Sequence, residues 1–160
     1  MFETNHAALR AAVAAFNDPQ GRDGYLGLYS DDVVLHGYPR GLAGRDGAKS
    51  FYSQLWEAFP DARLAIEDVI GSDDQIAVRY RLSGMQARDF YGAPSSGDAT
   101  NLEGMAWLRF RDGQAVEVWQ ASGTLDMLTR LTARAAQTRT RHSASADAAA
   151  LRWEERHPEE

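Results

Sequence analysis

Cysteine is absent from this 160-residue chain. That excludes disulfides, thiolate metal ligands and a cysteine nucleophile. Histidine is scarce, with four in all, and no pair stands at a metal-ligating spacing. His36 is alone among the predicted strands, while His6, His142 and His157 lie near the ends. A histidine-based metal site is therefore not expected. No glycine-rich loop follows a strand and opens a helix, which excludes a dinucleotide fingerprint and a phosphate-binding loop. There is no Gly-x-Ser-x-Gly elbow. No apolar run approaches the roughly 20 residues that span a bilayer. The start of the chain lacks a basic segment followed by a continuous apolar core, so no signal peptide is expected and the cytoplasm is the default location. Positive charge is also short: the net charge is −6. The basic footprint that a phosphate backbone selects is missing, so no nucleic-acid partner is expected.

What is present suits one soluble domain. The hydrophobic fraction is 44% and the charged fraction 25%, and the length suffices to bury a core without staples. Ala7, Leu9, Ala12, Val13 and Phe16 recur near helical spacing and predict a helix from about Asn5 to Phe16. A short helix follows through Tyr25, Leu26 and Tyr29. Val33 to Tyr38 reads as a strand stopped by Pro39. Asp46 is a candidate cap for a second long helix with Ala48, Phe51, Tyr52, Leu55, Trp56 and Phe59 on one side.

Strands dominate after Pro60. Leu64 to Ile70 alternates, Ser72-Asp73-Asp74 turns, and Val78, Tyr80 and Leu82 alternate with Arg79 and Arg81. The stretch from Gly84 to Ser122 is a Gly/Pro-rich loop followed by two more strands. Asp112-Gly113 between them is the clearest hairpin signal in the chain. Gly123 to Leu131 predicts a short terminal helix. Helices first and strands joined by short turns afterwards imply an α+β domain. Its curved antiparallel sheet would wrap the helices and enclose a pocket. Residues 1–131 form that domain. Residues 132–160 read as a polar appendage, frayed or partly helical, with Leu151 and Trp153 its only large apolar groups.

Several short pieces carry a family resemblance. They are Tyr29 to His36, Ala58-Phe59-Pro60-Asp61, Arg79 to Gly84, Asp89 to Gly97, Arg109-Phe110-Arg111-Asp112-Gly113 and Glu117-Val118-Trp119. In this order and spacing the chain resembles the SnoaL-like polyketide cyclases, or ester cyclases, of the NTF2-like superfamily. The resemblance implies a conical α+β barrel with a deep pocket, commonly a homodimer. It implies intramolecular aldol chemistry on hydrophobic polyketide-like esters in specialised metabolism, with no metal or organic cofactor. An acid/base side chain would remove a proton next to a carbonyl while the cavity folds the substrate.

The chain departs from that pattern at two positions. The family commonly has His where this sequence has Gln86, and its catalytic Asp where this sequence has Gly123. Gln exchanges no protons near neutral pH, and Gly has no side chain. Candidate replacements follow from residue chemistry. His36 is a general acid/base or a hydrogen-bonded structural histidine. Gln86 is a donor to a substrate carbonyl. Asp126, one helical turn beyond Gly123, is a relocated acid/base or a solvated carboxylate. Tyr38, expected on the same face as His36, positions a carbonyl or lines a wall. Trp56 and Trp119 line an apolar cavity or belong to the core. Glu103 is a desolvated base if it faces inward and idle if it faces solvent; strand parity leaves Glu103 and Gln120 open. Without the usual Asp, ring closures that need mainly preorganisation gain weight against the aldol: cycloaddition, or epoxide or spiroketal closure. A non-catalytic small-molecule binder or accessory protein with the same cavity is the alternative. A third reading is an interaction module that uses the sheet face or the tail.

Overall fold

The computed structural model describes residues 1–123 and, beyond them, positions 133, 136, 137, 139–141 and 144, which are helical and exposed. Asp126, Leu151, Trp153 and most of the expected terminal helix lie outside the described residues. Helix α1 spans Phe2–Phe16 and is followed by a 3-10 helix, Arg22–Leu28. Strand β1 is Tyr29–His36 and helix α2 is Gly44–Ala58. Four strands complete the fold: β2 (Arg63–Ser72), β3 (Gln75–Met85), β4 (Ala99–Arg111) and β5 (Gln114–Ser122). No helix among the described residues is long and apolar enough to cross a membrane.

The sheet order is β1-β5-β4-β3-β2. β2 to β5 form an antiparallel meander, as the turn signals predict. At the Asp112-Gly113 turn both residues adopt positive φ, 52° and 78°. That conformation matches the right-handed twist of the flanking strands. One pairing differs from the expected all-antiparallel sheet: β1 lies parallel to β5. A parallel pair needs a long crossover, and α2 with the meander supplies it.

Alternation sets the inner face. Ile76, Val78 and Tyr80 of β3, with Leu102, Leu108 and Phe110 of β4, are buried against the helices. α2 answers with Ala48, Phe51, Tyr52, Leu55 and Trp56 at helical spacing, all buried. Burying each large side chain contributes roughly 1.5–3 kcal/mol. Asn17 fastens the end of α1 to β2. Its Nδ2 donates to the Leu64 carbonyl at 2.8 Å, and the Leu64 N–H donates to its Oδ1 at 2.7 Å.

Candidate functional site

The concave face encloses a cavity lined by apolar side chains from both helices and from β2 to β5. Its polar lining is five tyrosines (Tyr25, Tyr29, Tyr38, Tyr52 and Tyr80) and Gln120. Among the described residues no carboxylate, imidazole or guanidinium lines it. Water centres can occupy about 60 Å³ of it. That is room for several waters or one small ring; a polycyclic ligand must displace wall side chains.

Four of the phenols form one cluster. The 3-10 helix supplies Tyr25, the first residue of β1 is Tyr29, the loop after β1 supplies Tyr38, and α2 supplies Tyr52. Tyr25 and Tyr29 donate to the Tyr52 hydroxyl at 3.2 and 3.1 Å. Tyr38 and Tyr52 hydroxyls meet at 3.0 Å, as do those of Tyr25 and Tyr29. Phe16 and Trp56 pack edge-on against Tyr25. Burial raises the pKa of all four phenols above the usual tyrosine value, because the phenolate loses its hydration. Burial likewise lifts Tyr80 to about 12, against a hydrogen bond with Ser122 that lowers it. The cavity phenols are therefore protonated at neutral pH. They can donate hydrogen bonds and cannot serve as bases.

Gln120 faces inward opposite Ala106, and its amide makes no side-chain hydrogen bond within the described residues. Glu103, whose direction the sequence leaves open, points outward, 67% exposed, and binds Arg81 at 3.1 Å.

Other expected site residues separate. His36 pairs with Trp119 across β1 and β5 and stacks on its ring at 5.0 Å, on the outer face of the sheet. Its Nε2 meets Glu117 at 2.9 Å. The expectation that His36 and Tyr38 share a face is corrected here. Gly37 between them takes φ +81°, which breaks the alternation and sends Tyr38 into the cavity. Trp119 lines an outer groove with His36. Trp56 is core, beside Phe16 and Tyr52, and its indole N–H finds no acceptor among the described residues. Gln86 is fully buried in the loop after β3, away from the cavity wall. Its Nε2 donates to the Ala93 carbonyl and its Oε1 accepts from Ser96, both at 3.1 Å.

The outer face is distinctive. Met105, Trp107 and Ile70 are 60%, 48% and 69% exposed. They border a groove of about 620 Å³ with Trp119, Ala77 and Ala121. Ion pairs frame it, Glu67 with Arg79 and Arg81 on one side and Glu117 with Arg109 on the other. Among the described residues no group of three or more His, Asp or Glu could hold a metal ion.

Sequence comparison agrees with this architecture. Residues 6–131 match the model of the SnoaL-like polyketide cyclases. The chain belongs to that family. No curated protein matches it. Among solved structures, AclR from Streptomyces galilaeus is 24% identical, with 82% of this chain and 97% of that one covered and a TM-score of 0.70. TsrD from Streptomyces laurentii is 20% identical over 81% and 95% of the two chains, with a TM-score of 0.69. IdmH from Streptomyces antibioticus, described as a candidate polyketide cyclase, is 25% identical over 79% and 97%, with a TM-score of 0.65. The NTF2-like cone is thus shared, and family membership supports a cyclase-type function on a small molecule.

Sequence reasoning missed Tyr25, Tyr29, Tyr52 and Tyr80 as site groups. Buried tyrosines usually need a hydroxyl partner. The sequence carries no signal that these phenols find one another.

Proposed function

We propose that this member of the family is a cyclase that folds a hydrophobic, polyketide-like molecule inside the cone and closes a ring in it. The observation that carries the reading is the cavity lining, which among the described residues is an apolar wall with five phenols and the Gln120 amide. The wall selects a folded substrate and removes the entropy of bringing its two ends together. Tyr80 and Gln120 can polarise a carbonyl by donating to its oxygen. A closure in which ring bonds form at the expense of π bonds, with no group entering or leaving, asks no more of the protein. Asp126 remains the candidate if a proton must also move. Specialised metabolism and a cytoplasmic setting belong to the same reading.

A product screen against polyketide-like intermediates tests it, with wild type, Gln120→Leu, Asp126→Asn and His36→Ala side by side. Gln120→Leu is expected to lower kcat/KM about tenfold, the worth of one hydrogen bond strengthened in the transition state. His36→Ala should stay within about twofold, because His36 faces away from the cavity. If compounds bind every form and return unchanged, the chain is a binder and the cyclase reading fails.

The outer face fits a second copy of the chain. Its exposed Met105, Trp107 and Ile70 form an apolar centre, and Arg and Glu flank it on both sides, so the patch is complementary to itself across a twofold axis. Trp107→Glu is expected to convert a dimer to monomers in sedimentation velocity. A wild type that sediments as a monomer at micromolar concentration sinks this assignment.

A further inference from the structure

Among the described residues, three outer depressions share lining residues with the cavity, so each is a candidate way in. The groove of about 620 Å³ on the outer face shares Val78, Ala106 and Gln120 with it. Those residues are successive partners across β3, β4 and β5, so a hydrogen-bonded ladder closes that way. A second depression shares Leu82 but holds only about 10 Å³, room for one water at most. The third is a cleft of about 350 Å³ between α1 and β2, and it shares Leu9 and Ile66 with the cavity. No strand ladder lies there; side chains divide inside from outside.

The seam around Leu9 and Ile66 is held at its ends and loose between them. At one end Asn5 Nδ2 donates to the Asp73 carbonyl at 3.0 Å. There the Phe2 ring also covers Gly71, where a Cβ would lie 2.8 Å from it. At the other end Asn17 is bonded to Leu64. Between these pins no hydrogen bond or ion pair joins α1 to β2 among the described residues. β2 is the edge strand of the sheet, and it carries a bulge beside the cleft. Ile66 pairs with Tyr80 and Asp68 with Arg79, which leaves Glu67 over. A bulge bends its strand and interrupts the ladder.

We propose that ligands enter the cone through this seam, past a gate made by Leu9 and Ile66. Opening it turns two apolar side chains and spreads the middle of α1 from β2, and it breaks no hydrogen bond. The gate passes an apolar ring or chain and rejects a bare charge, which would lose its water between Leu9 and Ile66. The proposal shares with the cyclase reading only the premise that the cavity takes a ligand.

Exchange of fluorobenzene into the cavity tests this without turnover. Fluorine NMR gives its Kd and its entry and exit rates. The chain has no cysteine, so a single introduced one takes a bulky thiol-reactive label alone. Arg10→Cys puts the label at the rim of the cleft. Arg88→Cys, exposed in the loop that brings Phe90 to the cavity, puts it over a rival route. Each labelled protein is compared with the same protein unlabelled, after thermal melting has shown both to be folded. A label that obstructs the path leaves the bound state untouched. On Arg10→Cys, entry and exit should therefore both slow about tenfold with Kd within about twofold. On Arg88→Cys neither rate should change. Ile66→Val, which trims the gate by one carbon, should speed exit about threefold. Unchanged rates in labelled Arg10→Cys overturn the proposal, and so does equal slowing by the Arg88→Cys label. A label on Arg10→Cys that raises Kd without slowing exit makes the cleft part of the site, which also overturns it. An exit rate that Ile66→Val leaves as in wild type removes the gate, and a wild type that takes up no fluorobenzene removes the entrance. Fluorobenzene that exchanges through the seam while the product screen yields no ring sinks the cyclase reading alone.

Discussion

Gly37→Ala is expected to destabilise the fold by about 3 kcal/mol and lower the melting temperature by about 10 °C. Two causes act together. Gly37 sits at φ +81°, in the left-handed region that side chains avoid. A Cβ built there would lie 1.9 Å from the backbone oxygen of Gln120. That oxygen cannot retreat freely, because Gln120 is in register with Ala106 in the β4–β5 ladder. The collision also reaches the site. Gly37 precedes Tyr38, and the atom it strikes belongs to Gln120, so relief must move one cavity donor or the other. Thermal stability and turnover in the product screen should therefore fall together. A variant that melts within about 2 °C of wild type would show that this turn is not the constraint described.

Gln86→Ala should cost a similar amount, about 3 kcal/mol, through a different mechanism. Gln86 is completely buried, and its amide closes the loop between β3 and β4. Its backbone is tied as well: the N–H donates to the Asp98 carbonyl, and its carbonyl accepts from the Gly97 N–H. Truncation removes one hydrogen bond from the Ala93 carbonyl, which keeps the Phe90 N–H, and one from the Ser96 hydroxyl, which keeps the Asp98 N–H, and it opens a void. Phe90 and Ala93, which exchange backbone hydrogen bonds at 3.0 and 2.9 Å, should lose amide-exchange protection first. Amides of the β3–β4 ladder near Ala77 and Trp107 should lose protection only to the extent that the whole domain is destabilised. Any loss of activity in this variant then tracks the loop, since Phe90 lines the cavity and Gln86 does not. If protection at Phe90 and Ala93 is unchanged, the bracing role is wrong and a direct contact with substrate becomes the better account.

Much of the fold was legible because its signals are local. The two-residue period placed Val78, Tyr80 and Leu82 opposite Arg79 and Arg81, and the structure has the first set inward and the two arginines in ion pairs outside. Asp112-Gly113 turned where its φ preferences said it should. The helical face of α2 needed only its spacing. The site was less legible. His36, Trp119 and Glu103 carried the right chemistry on the wrong side of the sheet for the inner cavity. A single glycine between His36 and Tyr38 reversed an alternation that would otherwise have joined them.

The sequence alone thus determined the order of elements, the α+β class, the inner face of β3 and the family to which the chain belongs. Each depends on neighbours within a few residues, or on short pieces kept in order. Only the tertiary structure decided the parallel contact of β1 with β5, the commitment of Gln86 to its loop, and the meeting of Tyr25, Tyr29, Tyr38 and Tyr52 around one hydroxyl. A phenol's hydrogen-bond partner is set by which elements close on it in space. These four come from a 3-10 helix, a strand, a loop and a helix, so no local period relates them. Burial then fixes their protonation, and the cavity's chemistry becomes that of donors brought together by packing.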